Sequence, residues 1–125
     1  MKNQVSQLKS SQVAIDQIKV DRLDTIIADG NHTIIDVRNA IGIEKQGSIP
    51  GAINIPFEKI DEAIDKNQES YNPIFDTDGP FLFCCTGGVM SYMAAIKAHE
   101  IGLKNVYNLD GGHSAWIKHK EAIQS

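Results

Sequence analysis

Two adjacent cysteines, Cys84 and Cys85, stand at the head of a short glycine-bearing turn, Thr86-Gly87-Gly88-Val89-Met90, and Ser91 follows it. The run before them, Phe81 to Cys84, is apolar and of strand type, and Ser91 to Ile101 is helix-prone. A strand that passes through a tight loop into a helix start gathers backbone N–H groups around one point. The helix adds roughly half a positive charge there. A thiol at that point is favoured as its thiolate, the nucleophilic form of cysteine. The stretch therefore reads as a seat for a reactive sulfur anion. Cys85 takes the first loop position. Cys84 ends the strand, where a free cysteine serves as a small apolar residue; its functional alternative is a resolving or redox partner for its neighbour.

Other residues are candidates to face the same point. Thr33 to Val37 is a β-branched run closing on Asp36, Val37 and Arg38. Asp36 and Arg38 either pair with each other and with loop backbone, or Arg38, one of two arginines, offers a cation to an anionic ligand. The hydroxyls of Thr86 and Ser91 can hydrogen-bond a sulfur anion, and Ser91 can alternatively cap the following helix. His32, His99, His113 and His119 show no metal-like spacing with each other or with the cysteines, so neither metal nor cofactor is expected. His113 is expected as a solvated helix-start residue, with contact to substrate near the rim as its alternative, and Trp116 as core.

The elements that must hold these residues alternate. Gln17 to Val20 reads as a strand, and Asp21 can cap a helix from Arg22 to Ala28 that Asp29 and Gly30 end. The Thr33 strand has the composition of one buried on both faces. Ala40 to Lys45 is a short helix, Ile49 to Ala52 a turn, Ile53 to Ile55 a strand stopped by Pro56, and Glu58 to Lys66 an amphipathic helix. Asn67 to Pro80 reads as a long surface connection. After the cysteine loop and its helix, which Gly102 can stop, Val106 to Leu109 is a last strand, Asp110 to Gly112 a turn, and Ser114 to Ile123 a last helix. The pattern predicts an α/β fold: a central, mostly parallel five-stranded sheet with helices on both faces. Ligands bind at the carboxyl ends of such strands, where Asp36, Arg38, the loop from Cys85 and Gly111-Gly112 should meet.

Composition bounds the function. The 125 residues fit one domain, expected as residues 17–125 after an N-terminal arm at 1–16. With a net charge of -4 and no basic block, nothing suggests nucleic acid or an anionic membrane as partner. The N-terminus lacks the apolar core of a signal peptide, and the two neighbouring cysteines form no loop-closing disulfide framework, so a cytoplasmic location is expected. Oligomeric state is not legible.

Three separated segments resemble the rhodanese-like domain, a sulfurtransferase family: Ile34-Ile35-Asp36-Val37-Arg38, Ile49-Pro50-Gly51-Ala52-Ile53-Asn54-Ile55-Pro56, and Val106-Tyr107-Asn108-Leu109-Asp110-Gly111-Gly112-His113 with Trp116. The resemblance covers about residues 17 to 118. The family's active loop runs Cys-x-x-Gly-x-Arg-Ser, and Cys85-Thr86-Gly87-Gly88-Val89-Met90-Ser91 fits it except at the arginine. A subgroup with a Cys-Thr-Gly-Gly-Ile-Arg-Cys loop is similar. The resemblance implies that Cys85 takes a sulfane sulfur from thiosulfate or a persulfide and passes it to a thiol, cyanide or protein acceptor, within a binding loop of Thr86, Gly87, Gly88, Val89, Met90 and Ser91 supported by Asp36 and Arg38. Met90 in the arginine's place removes a cation, so thiosulfate activity is expected to be weak. Ser48 stands where the family often has His before Ile-Pro-Gly-Ala, a departure given little functional weight.

Two alternatives compete. Counted from Cys84, the loop has the Cys-x5-x-Ser spacing of cysteine phosphatases and arsenate reductases, but phosphoryl transfer needs bidentate positive charge that a thioether lacks. The other alternative is a rhodanese-like module without catalysis, used for regulation or partner binding.

Overall fold

In the computed structural model, which describes residues 14–124, five strands form one parallel sheet in the order β1-β5-β4-β2-β3. The strands are β1 Asp16–Lys19, β2 Thr33–Asp36, β3 Ile53–Asn54, β4 Phe81–Cys84 and β5 Val106–Asp110. The helices are α1 Leu23–Asp29, α2 Ala40–Gln46, α3 Ile60–Ala63, α4 Val89–Glu100 and α5 Gly112–Gln124. β4 is flanked by β2 and β5 and buried at all four positions. Its side chains alternate between two cores, as a strand's period of two requires. Phe81 and Phe83 join Ile35, Ile60, Ala94, Ala95 and Ala98 on one face. Leu82 and Cys84 join Leu23, Ile26, Leu109 and Trp116 on the other. Removing one such ring, as in Phe83→Ala, costs about 3–5 kcal/mol. The sheet is thereby fixed as the platform for the loop that leaves β4.

Several local expectations give way to tertiary packing. Asp21 caps nothing: Val20–Arg22 is a 3-10 turn that leads into α1 without a side-chain cap bond. Gly30 does end α1, at φ 68°, with its N–H on the Ile26 carbonyl 3.1 Å away. The helix expected over Glu58–Lys66 contracts to a 3-10 turn at Phe57–Lys59 and α3, with Ile64 as its C-cap. The connection from Asn67 to Pro80 is not all surface. Asn72 caps a 3-10 turn, Pro73–Asp76, that drives Phe75 into the core, 5.4 Å from the Phe81 ring. Two adjacent apolar side chains, Ile74 and Phe75, in a polar connection carry no periodicity, so only packing reveals their place. Residues 1–13 of the expected arm lie outside the described residues, and Asp16 belongs to β1.

Candidate functional site

Cys85 leaves the end of β4 with its side chain 3% exposed, and three groups converge on its sulfur. The Gly88 N–H lies 3.1 Å from Sγ, the Ser91 N–H 3.3 Å, and the Ser91 hydroxyl 3.2 Å. Both N–H groups belong to the start of α4, where backbone donors lack helical partners and the helix field is positive. Such an arrangement stabilises a sulfur anion, whether thiolate or persulfide. Gly88 makes the turn possible: it is the N-cap of α4 at φ 92°, a left-handed conformation that glycine adopts without steric cost. Ser91 therefore sits inside the first turn and is not the cap. The helix begins two residues earlier than its sequence suggests, and the Ser91 hydroxyl faces the sulfur in place of a capping role.

The loop is clamped from the far side by the start of α5. The His113 N–H donates to the Cys85 carbonyl at 2.9 Å and the Ser114 N–H to the Thr86 carbonyl at 3.0 Å. This contact needs glycine on both partners. A Cβ on Gly112 would lie 2.5 Å from the Thr86 oxygen, and one on Gly88 3.0 Å from the Gly111 nitrogen. The glycines after β4 and after β5 thus meet backbone to backbone, as expected from their shared rim.

Asp36 and Arg38 pair with each other. Arg38 Nε donates to both Asp36 carboxylate oxygens at 3.0 and 3.1 Å, and Nη2 to Oδ2 at 2.6 Å. The remaining guanidinium contacts are the Gln46 side-chain oxygen at 3.1 Å and the Gly47 carbonyl at 3.0 Å. With Arg38 3% exposed, the reading of it as a substitute cation for a donor anion is corrected: its charge is neutralised by Asp36 and turned inward. Its link to the loop is indirect. Gln46 Oε1 also accepts from the Thr86 hydroxyl at 3.2 Å, so Thr86 braces the loop against α2. Gln46 was missed in the sequence because it reads as the polar end of a short surface helix.

Cys84, one peptide unit away, is fully buried and packs with Ile34, Leu82 and Leu109. Burial pushes its thiol well up, and the Asp36 carboxylate adds to the shift. Its S–H faces only the Leu82 carbonyl, 3.9 Å away. Cys84 is thus a neutral core residue. His113 is also buried, 3% exposed, edge-on to Trp116 at 5.8 Å, which corrects its placement as a solvated residue. The docking of α5 under the loop draws it in. Burial lowers its pKa, and the nearby Arg38 charge lowers it further. Trp116 is core, as expected, with its indole N–H on Asp24 at 3.1 Å.

Val89 and Met90 face outward beside the loop, 70% and 41% exposed, and Gly87 is exposed. The approach to Cys85 is therefore apolar at the position where a cation was expected. A second residue that sequence reasoning missed is Asn108. Fully buried in β5, it accepts from the Ser91 hydroxyl at 2.5 Å and donates to the Gly88 carbonyl at 3.0 Å and to Gln17 at 2.8 Å. An amide in the middle of a buried strand was the available signal. Among the described residues no group of His, Cys, Asp and Glu is arranged to hold a metal, and no helix is long and apolar enough to cross a membrane.

This geometry has relatives. A thiosulfate sulfurtransferase/rhodanese-like domain-containing protein 3 of Mus musculus is 33% identical over 92 residues, spanning 70% of this chain and 59% of that one. The thiosulfate sulfurtransferase GlpE of Shewanella oneidensis is 35% identical over 83 residues, 66% of this chain and 73% of its own. A Rhodopseudomonas palustris protein of unknown function, described as a possible tyrosine phosphatase, superposes with a TM-score of 0.82 at 30% identity, covering 95% of this chain and 89% of that one. The rhodanese-like domain family matches residues 19–119, with Cys85 in the loop between β4 and α4, and the chain belongs to that family.

Proposed function

We propose that the protein is a sulfurtransferase that carries sulfur as a persulfide on Cys85. The observation that supports this reading most is the convergence of the Gly88 and Ser91 N–H groups and the Ser91 hydroxyl on the Cys85 sulfur. The Cys85 thiolate attacks the outer, sulfane sulfur of the donor. A new S–S bond forms, the donor's S–S bond breaks, and its electron pair leaves as sulfite from thiosulfate or as a thiolate from a persulfide. The outer sulfur, now anionic, lies where the loop amides and helix field favour negative charge. A thiolate, cyanide or protein thiol then attacks that sulfur, and Cys85 departs as the thiolate. No net redox change occurs in the protein.

Donor choice follows from Met90. Thiosulfate is a dianion, and charge-assisted hydrogen bonds from an arginine contribute about 1.5–3 kcal/mol, ten- to a hundredfold in rate. A thioether contributes none of this, and Arg38 is committed to Asp36. A persulfide donor of low charge is therefore preferred over thiosulfate. The phosphatase reading, raised again by the Rhodopseudomonas palustris protein, would make Cys84 the nucleophile, but that thiol is buried, neutral and turned into the core. Intact-mass spectrometry after exposure to thiosulfate or a persulfide donor tests the proposal. A gain of about 32 Da, one sulfur atom, localised to Cys85 and discharged by cyanide or a thiol is expected. Absence of the adduct with every donor sinks it and leaves the non-catalytic module.

A further inference from the structure

Asn108 occupies a position in β5 where an aliphatic residue would pack without polar demands. It is 0% exposed, on the face of β5 opposite to Tyr107 and Leu109, yet its amide is fully engaged. The Gly88 carbonyl can only accept a hydrogen bond, so the amide nitrogen faces it, 3.0 Å away, and the amide oxygen faces Ser91. That orientation has a consequence for a single proton. The Ser91 hydroxyl lies 2.5 Å from Asn108 Oδ1 and 3.2 Å from Cys85 Sγ, and it has one hydrogen to give. While Cys85 is a thiol, the hydroxyl donates to Asn108 and its lone pairs receive the S–H. When the sulfur is anionic, the same hydrogen is shared: it stays on the short contact to Asn108 Oδ1, which keeps the Ser91 oxygen in place, and its bond is bifurcated toward Sγ.

We propose that Asn108 is the positioning residue of the sulfur cradle. It touches neither sulfur nor substrate. One arm of its amide holds the Ser91 oxygen at the sulfur, and the other holds the Gly88 carbonyl, fixing the left-handed residue whose N–H points at Sγ. Two of the three groups on Cys85 are thus set by one side chain from a different strand. Gln17 of β1, 2.8 Å from the same amide nitrogen, completes its donor set. The inference rests on the reading of Cys85 as the sulfur carrier.

The test is the rate of Cys85 alkylation by iodoacetamide against pH, followed at the Cys85 peptide by mass spectrometry, which needs no sulfur donor. Asn108→Leu is expected to move the profile to higher pH by about one unit, a roughly tenfold slower reaction on its rising limb. Ser91→Ala moves it in the same direction, and the double variant moves it by less than the sum, because the two residues act as one unit. A role confined to packing would lower the unfolding temperature and leave the profile in place. Should Asn108→Leu fail to fold, Asn108→Thr keeps a strand-forming residue, loses the arm to Gly88, and is expected to shift the profile the same way. Folded variants whose profiles overlay the wild type, or whose shifts add in full, overturn the proposal. A wild type that accepts sulfur from no donor overturns the sulfur-transfer reading alone, since the alkylation profile reports the cradle independently.

Discussion

Cys84 and Cys85 share a peptide bond and almost nothing else. Cys84 is the last residue of β4, so the strand's alternation sends it into the core beneath α1 and α5. Cys85 falls on the opposite side, and the chain turns there into α4. Both are nearly inaccessible, 0% and 3% exposed, so exposure does not separate them. What separates them is the supply of donors. The sulfur of Cys85 receives two backbone N–H groups and a hydroxyl, whereas Cys84 meets aliphatic carbon and a carbonyl that can only accept from it. Burial without donors holds the Cys84 thiol neutral, and the donors at Cys85 are placed to hydrogen-bond its sulfur.

This contrast can be broken experimentally, most severely at Cys85. Cys85→Ser is expected to abolish persulfide formation altogether, as read by intact mass, with an unchanged fold by circular dichroism. The next largest effect is a gain. Met90→Arg should raise kcat/KM for thiosulfate by about ten- to a hundredfold, with a smaller change for a neutral persulfide donor. Equal improvement for both donors would show that charge on the donor is not what Met90 selects against. Cys84→Ser should keep sulfur transfer within about twofold while lowering stability by about 1–3 kcal/mol, because a hydroxyl replaces sulfur among aliphatic side chains. Loss of transfer in a stably folded Cys84→Ser protein would give the neighbour a chemical role.

The smallest effect is a pH dependence. Burial holds the His113 pKa below that of the unfolded chain, so the unfolded state binds the proton more readily. Stability from this residue is present above about pH 6.5 and is lost as the pH falls below it, until the folded-state histidine also protonates. His32, whose pKa is lowered by burial and then by Arg22, acts in the same direction. The unfolding temperature should decline as the pH falls below about 6.5, and His113→Phe should flatten that slope without removing it. An unaltered slope in the variant would place the dependence elsewhere.

The amino-acid sequence carried the sheet and the register of the loop, because β4 is an unbroken apolar run and glycines punctuate the turn after it. Those signals are local. It did not carry the site's internal wiring, which depends on what tertiary packing brings together. Ser91 reads as a helix cap until the left-handed Gly88 starts α4 early. Arg38 reads either as a partner of Asp36 or as a cation for an anionic ligand, and the structure takes the first. Asn108 is separated from Ser91 by 17 residues, and Phe75 reaches the core through a connection with no periodicity at all. His113 escapes a sequence reading for the same reason, since only the docking of α5 against the loop buries it.

The backbone contact between Gly112 and the Cys85–Thr86 peptide also bears on when the site is assembled. With the Gly112 Cα packed so closely that an added carbon would sit 2.5 Å from the Thr86 oxygen, and with two hydrogen bonds beside it, the loop has little room to open. The donors around Cys85 are then arranged before any sulfur compound arrives. Binding does not have to order them, and the Cys85 sulfur has a solvation shell made of protein in place of water. A site built this way does not depend on induced closure, because its folding has already supplied the organisation that a flexible site would have to gain from its ligand.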